Sequence, residues 1–129
     1  MSRNINTRNI NTGRVYDVLK AASDAWDMPG LAAMIKVKLV PFLRLQVRGD
    51  ADKKPKNPAK ICAAAAYLST MTIKIRRSEW ELYSDKQRVD TLVHELAHIA
   101  EFIKRGDSNH GKYFRDLMVR GKENVPLTA

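Results

Sequence analysis

Residues 94–110 read HELAHIAEFIKRGDSNH and hold all three histidines of the chain, His94, His98 and His110. Side chains four residues apart on a helix share a face, so His94 and His98 can grip one metal ion from the same side. Glu95 is turned a further ~100° round the axis, within reach of a metal-bound water without itself being a ligand. His110 arrives from beyond the glycine-bearing turn at Gly106 and completes a three-ligand set. Zinc held by three protein ligands keeps a fourth position for water or substrate, the arrangement of catalytic rather than structural sites. The expectation is therefore one Zn2+ per chain, with His94, His98 and His110 as ligands and Glu95 as catalytic base. The plainer reading is a helix whose two histidines are only surface or core residues.

The flanking sequence supports a long helix. Ser84 followed three residues later by Gln87 forms a capping-box pattern, and Gly106 marks a C-terminal stop. Between them, Asp85 to Arg105 divides into three sectors. Val89, Leu92, Val93, Leu96, Ala100 and Ile103 make an apolar arc, and Asp90, Glu101 and Lys104 make a stripe assigned to solvent. Thr91, His94, Glu95, His98 and Phe102 fill the remaining sector. A second helix is predicted over 111–120. His110, Phe114 and Leu117 fall at i, i+4 and i+7, so burial of the two apolar residues would aim His110 at the histidine pair.

Upstream, the five-residue segment RNINT occurs twice in residues 3–12, too short a repeat for a solenoid. It reads as a flexible, Arg-bearing arm. From Gly13, Val15, Val18, Leu19, Ala22, Ala25 and Trp26 recur at helical spacing until Pro29 and Gly30 end the pattern. Four extended segments follow, over 34–40, 43–47, 61–68 and 71–76. The last alternates Met71, Ile73 and Ile75 with Thr72, Lys74 and Arg76, the period of a strand with one buried face. It is expected at the edge of the cleft, pairing with an extended substrate. Residues 61–68 are the most ambiguous, because Ala63 to Ala66 favour helix over strand. Trp26 and Trp80 read as packing residues.

At 129 residues, 44% hydrophobic and 29% charged, the chain suits one globular domain with a modest core. No apolar run approaches the ~20 residues that span a bilayer, so no membrane partner is expected. The first residues carry charge but no apolar signal region, and Cys62 is the single cysteine. An internal disulfide and a four-cysteine zinc ribbon are thereby excluded. The expected location is cytoplasmic or nucleoid-associated. Cys62 reads as a small buried hydrophobe, with a fourth metal ligand as the competing role.

Twenty-three Lys and Arg against fourteen Asp and Glu give a net charge of +9. Such an excess favours polyanionic partners, nucleic acid above all. Lys53, Lys54, Lys56 and Lys60 share a stretch with Pro55 and Pro58, a candidate nucleic-acid-contacting loop. The alternative is a merely solvated loop.

MTIKIRRSEWELYSDKQRVDTLVHELAHIAEF, followed by HGKYF from His110 to Phe114, resembles the SprT-like zinc metallopeptidase domains, the group that includes the Spartan DNA–protein crosslink proteases. The likeness runs from Met71 to Leu117. The position three residues after His98 is Glu101, where metzincins carry glycine. The resemblance implies an α+β, zincin-like single domain over 13–122, with a small mixed or antiparallel sheet packed on an active-site helix and flanking helices. Residues 1–12 would be the arm and 123–129 a C-terminal tail. It further implies peptide hydrolysis in DNA-associated proteins, with protein substrates and DNA as partners and oligomeric state open. His94, His98 and His110 carry over as zinc ligands and Glu95 as base. Tyr113 is a candidate oxyanion or substrate contact, packing being its plainer role. Two other classes stay open: a nucleic-acid-binding module with a structural zinc, and a zinc hydrolase of non-protein substrates.

Overall fold

The computed structural model describes residues 8–41 and 63–127. The chain is α+β. In order, it runs β1 (Arg8–Asn9), α1 (Gly13–Ala25), α2 (Leu31–Met34), β2 (Lys36–Val40), β3 (Ala64–Tyr67), β4 (Thr72–Arg76), α3 (Arg77–Leu82), α4 (Asp85–Arg105) and α5 (Lys112–Asn124). The strands form a mixed sheet in the order β1-β2-β4-β3. β2 and β4 are parallel, with Val37 opposite Ile73 and Leu39 opposite Ile75. β1 and β3 are antiparallel to their neighbours.

Alternation along β2 and β4 sends Val37, Leu39, Ile73 and Ile75 to one face, where all four are buried. α1 contributes Val15, Val18, Leu19 and Ala22 to the same core, and α4 contributes Val89, Leu92, Val93, Leu96 and Ala100. α5 packs against both helices. Gly121 permits a close approach: a Cβ there would stand 2.9 Å from Val93 Cγ1 and 3.0 Å from Trp26 Cζ2. Trp26 is buried and donates Nε1–H to the Leu117 carbonyl at 2.8 Å. Trp80 is buried beside β4, with the Arg88 guanidinium 4.6 Å from its ring centre.

Several sequence expectations change. The 71–76 strand is not at an edge; β4 lies between β2 and β3, so its backbone is already paired on both sides. β3 forms despite its alanines, because antiparallel pairing with β4 outweighs an intrinsic preference of a few tenths of a kcal/mol. The strand expected from Met34 begins at Lys36, after the single helical turn of α2. Part of the expected arm is tied down: Arg8 and Asn9 pair with β2, Ile10 N–H donates to Val37 O at 2.7 Å, and Asn11 Nδ2 bonds the Ala32 and Ile35 carbonyls. The second helix, expected over 111–120, runs from Lys112 to Asn124. Ile103, assigned to the apolar arc, is instead 46% exposed. The 43–47 segment, the lysine loop and Cys62 lie outside the described residues.

Candidate metal centre

α4 begins and ends as its sequence dictates. Ser84 Oγ accepts from Gln87 N–H at 3.2 Å while Gln87 Oε1 accepts from Ser84 N–H at 2.9 Å, closing the capping box. Gly106 takes φ +76°, a left-handed conformation that glycine adopts without a Cβ clash, and its N–H donates to Phe102 O at 2.7 Å. The chain then turns through Asp107, Ser108 and Asn109 and delivers His110 to the face of α4 that holds His94 and His98.

The three imidazoles converge. Nε2 of His98 lies 3.3 Å from Nε2 of His94 and 3.1 Å from Nε2 of His110. Nitrogens bound tetrahedrally at ~2.0–2.1 Å from one ion stand ~3.3–3.4 Å apart, so the spacing suits a shared cation. Among the described residues no other group of three His, Cys, Asp or Glu side chains is so gathered. Phe114 is the backing. Its buried ring is centred 5.1 Å from His94, 4.5 Å from His98 and 4.9 Å from His110. Phe114 and Leu117 are both buried, which fixes the start of α5 and with it His110.

Burial also sets the protonation of the cluster. His98 is pushed down to about 4, by desolvation first and then by its neighbours His94 and His110. His94 is lowered by burial, then by His110 and Lys122. Both changes favour neutral imidazoles with free lone pairs, the form that binds a metal. Glu95 is 8% exposed, and desolvation raises its carboxyl to about 7. A carboxyl that exchanges its proton near neutrality is suited to general acid–base chemistry.

Glu101 is the correction at this site. Assigned to the solvent stripe, it is 1% exposed and takes part in the architecture of the cluster. Its Oε1 accepts from Ser108 Oγ–H at 3.1 Å and Asn109 N–H at 3.0 Å, and Arg105 Nη1 lies 3.7 Å from Oε2. Ser108 Oγ in turn lies 2.8 Å from His98 Nδ1. Sequence reasoning passed over both residues, although Glu101 falls at i+7 from His94, nearly in line with it along the helix. The half-buried Tyr113 ring carries the Arg105 guanidinium 5.4 Å from its centre, a packing contact. Lys53, Lys54, Lys56, Lys60 and Cys62 lie outside the described residues.

The model of the SprT-like family matches residues 47–128, well over half of the chain. The chain belongs to the SprT-like family. The SprT-like region extends further upstream than the Met71 start of the sequence likeness, taking in β3 and the lysine stretch as well as α4, α5 and the three histidines. Membership carries the expectation of a peptidase-type domain, and the histidine cluster within it can hold a metal ion. No curated protein and no solved structure matches this SprT-like chain. No helix among the described residues is long and apolar enough to cross a membrane.

Proposed function

We propose that this SprT-like chain is a zinc metalloendopeptidase of zincin-like architecture, acting on proteins associated with DNA. The observation that supports the reading best is the gathering of three imidazole Nε2 atoms, with the buried carboxyl of Glu95, next to His94 in sequence, raised to about 7. His94, His98 and His110 would hold the zinc. Zinc bound there would lower the pKa of water and polarise the scissile carbonyl.

The remaining work falls to the protein's own groups. The Glu95 carboxylate takes a proton from the attacking water and passes it to the departing amine nitrogen. The carbonyl carbon gains an oxygen and loses its bond to nitrogen, so atoms and charge balance. Phe114 backs the imidazoles and limits their rotation. Tyr113 keeps a packing role in this reading. For DNA the support is the net charge of +9 and the run Lys53, Lys54, Lys56 and Lys60. Phosphate contacts of this kind hold a protein on DNA without sequence recognition, raising the local concentration of bound protein substrates.

The test is cleavage of a DNA-bound protein by wild type and Glu95→Gln, with and without DNA. Wild type should cleave, and Glu95→Gln should retain zinc while losing on the order of 10²–10⁴ in rate. Equal cleavage by both would remove Glu95 as base. A zinc-loaded wild type inert toward every protein offered would favour the non-protein hydrolase or the structural-zinc module. Reversing all four lysines to Glu should weaken DNA binding and flatten its salt dependence, leaving cleavage of free unfolded protein unchanged. An unchanged salt slope would remove the loop from the DNA contact.

A further inference from the structure

With Glu101 present as the carboxylate, the proton inventory between it and His98 admits one arrangement. Glu101 Oε1 takes two donors, Ser108 Oγ–H at 3.1 Å and Asn109 N–H at 3.0 Å. A serine hydroxyl carries a single hydrogen. Having given it to Glu101, Ser108 Oγ can only accept from its other neighbour, His98 Nδ1 at 2.8 Å. His98 Nδ1 therefore carries the proton, and in the neutral ring Nε2 carries the lone pair. That lone pair lies on the atom 3.3 Å from His94 Nε2 and 3.1 Å from His110 Nε2.

We infer that Glu101 and Ser108 are positioning residues for the metal centre, Glu101 acting through Ser108 to hold His98 in the tautomer that presents Nε2 to the ion. The inference rests on the reading of the histidines as metal ligands and adds the groups that prepare one of them. A carboxylate behind a ligating imidazole increases its basicity and fixes its ring plane. Here the hydroxyl is interposed, so the carboxylate's pull reaches the ring through two hydrogen bonds in series.

The same carboxylate holds the third ligand in place. Its bond to Asn109 N–H ties down the residue before His110, and Asn109 Oδ1 accepts from Gly111 N–H at 2.8 Å on the other side. One buried side chain on α4 thus orients His98 and anchors the loop bearing His110. Arg105 balances the buried charge from 3.7 Å, and its guanidinium is positioned over Tyr113. Burial of a carboxylate is costly unless it is hydrogen-bonded and paired, and the partners around Glu101 meet that demand.

Two readouts test the inference on the whole chain, neither of them enzymatic. In the first, zinc affinity is measured by competition with a chromophoric chelator. Ser108→Ala should weaken it by about 10–100-fold, Ser108→Thr should stay near wild type, and Glu101→Gln should fall between them. In the second, nitrogen NMR of the metal-free protein at pH 8 should show His98 protonated at Nδ1 in wild type. Ser108→Ala should mix the two tautomers. Circular dichroism shows whether each variant is folded, and Ser108→Ala removes one half-buried loop hydroxyl and little volume.

Wild-type affinity in Ser108→Ala, or an Nε2-protonated His98 in wild type, would overturn the inference. Failure of wild type to bind zinc would be a different result. It would remove the metallopeptidase reading, while the tautomer measurement would still decide between the two arrangements of His98.

Discussion

Replacing Glu95 by Gln should stabilise the metal-free protein at alkaline pH and lose that advantage in acid. The carboxyl is 8% exposed, and desolvation lifts it from 4.5 to about 7. Between those values the folded protein holds a proton that the unfolded chain has released, so stability falls as pH rises through the window. At roughly 1.4 kcal/mol per pH unit, the full cost is about 3 kcal/mol and is reached near pH 8. Gln has nearly the same shape and does not titrate. The gap between Glu95→Gln and wild type should therefore open by about 3 kcal/mol in favour of the variant between pH 4.5 and 8.5. His94 and His98, lowered by burial, work in the opposite direction: their neutral folded forms cost stability as pH falls below 6.5. Both proteins share that loss, and it cancels in the difference. The assay is urea unfolding in the presence of a chelator at five or six pH values. A gap that does not change with pH would refute the argument, because it would mean that the folded protein solvates or pairs the Glu95 carboxylate as well as water does.

Gly121→Ala should destabilise by about 1–3 kcal/mol, since its Cβ would meet Val93 at 2.9 Å and Trp26 at 3.0 Å; thermal melting within error of wild type would show that α5 shifts freely. Ser84→Ala removes the acceptor for Gln87 N–H and should cost about 1 kcal/mol in urea unfolding. No loss would mean the cap is replaced by water. Trp26→Phe leaves the Leu117 carbonyl without its buried donor and should cost about 1–3 kcal/mol, checked by the same unfolding curve.

The elements most legible in the sequence are those whose signals are local. α4 has a capping box, a long apolar arc and a terminal glycine, and the structure begins and ends it at Asp85 and Arg105. β4 was legible as a strand but not as a central one. Its alternation reports one buried face, whereas its neighbours are set by a parallel pairing with β2 across more than thirty residues. The six residues of α3, whose N-cap, Arg76, makes no side-chain cap bond, leave little pattern in the sequence. β1 has only two residues in which to show one.

At the centre itself, the i, i+4 pair announced His94 and His98, and the Phe114–Leu117 spacing announced how His110 is held. Glu101 was misassigned although seven residues take the helix to within ~20° of two full turns, placing it beside His94 in projection, on the side away from His98. An acidic residue late in a helix reads as solvated until a partner is known, and its partner, Ser108, is a loop serine with no periodic signature.

The number and kind of atoms bound to zinc test the central claim most directly. Zinc-edge X-ray absorption on protein loaded with one zinc per chain should show three imidazole nitrogens and one oxygen at about 2.0–2.1 Å. The same shell should appear in Glu95→Gln, and one imidazole should be missing in His110→Ala. A sulfur at about 2.3 Å, which only Cys62 or a methionine could supply, or a fourth protein nitrogen in the wild type, would contradict an open three-histidine centre.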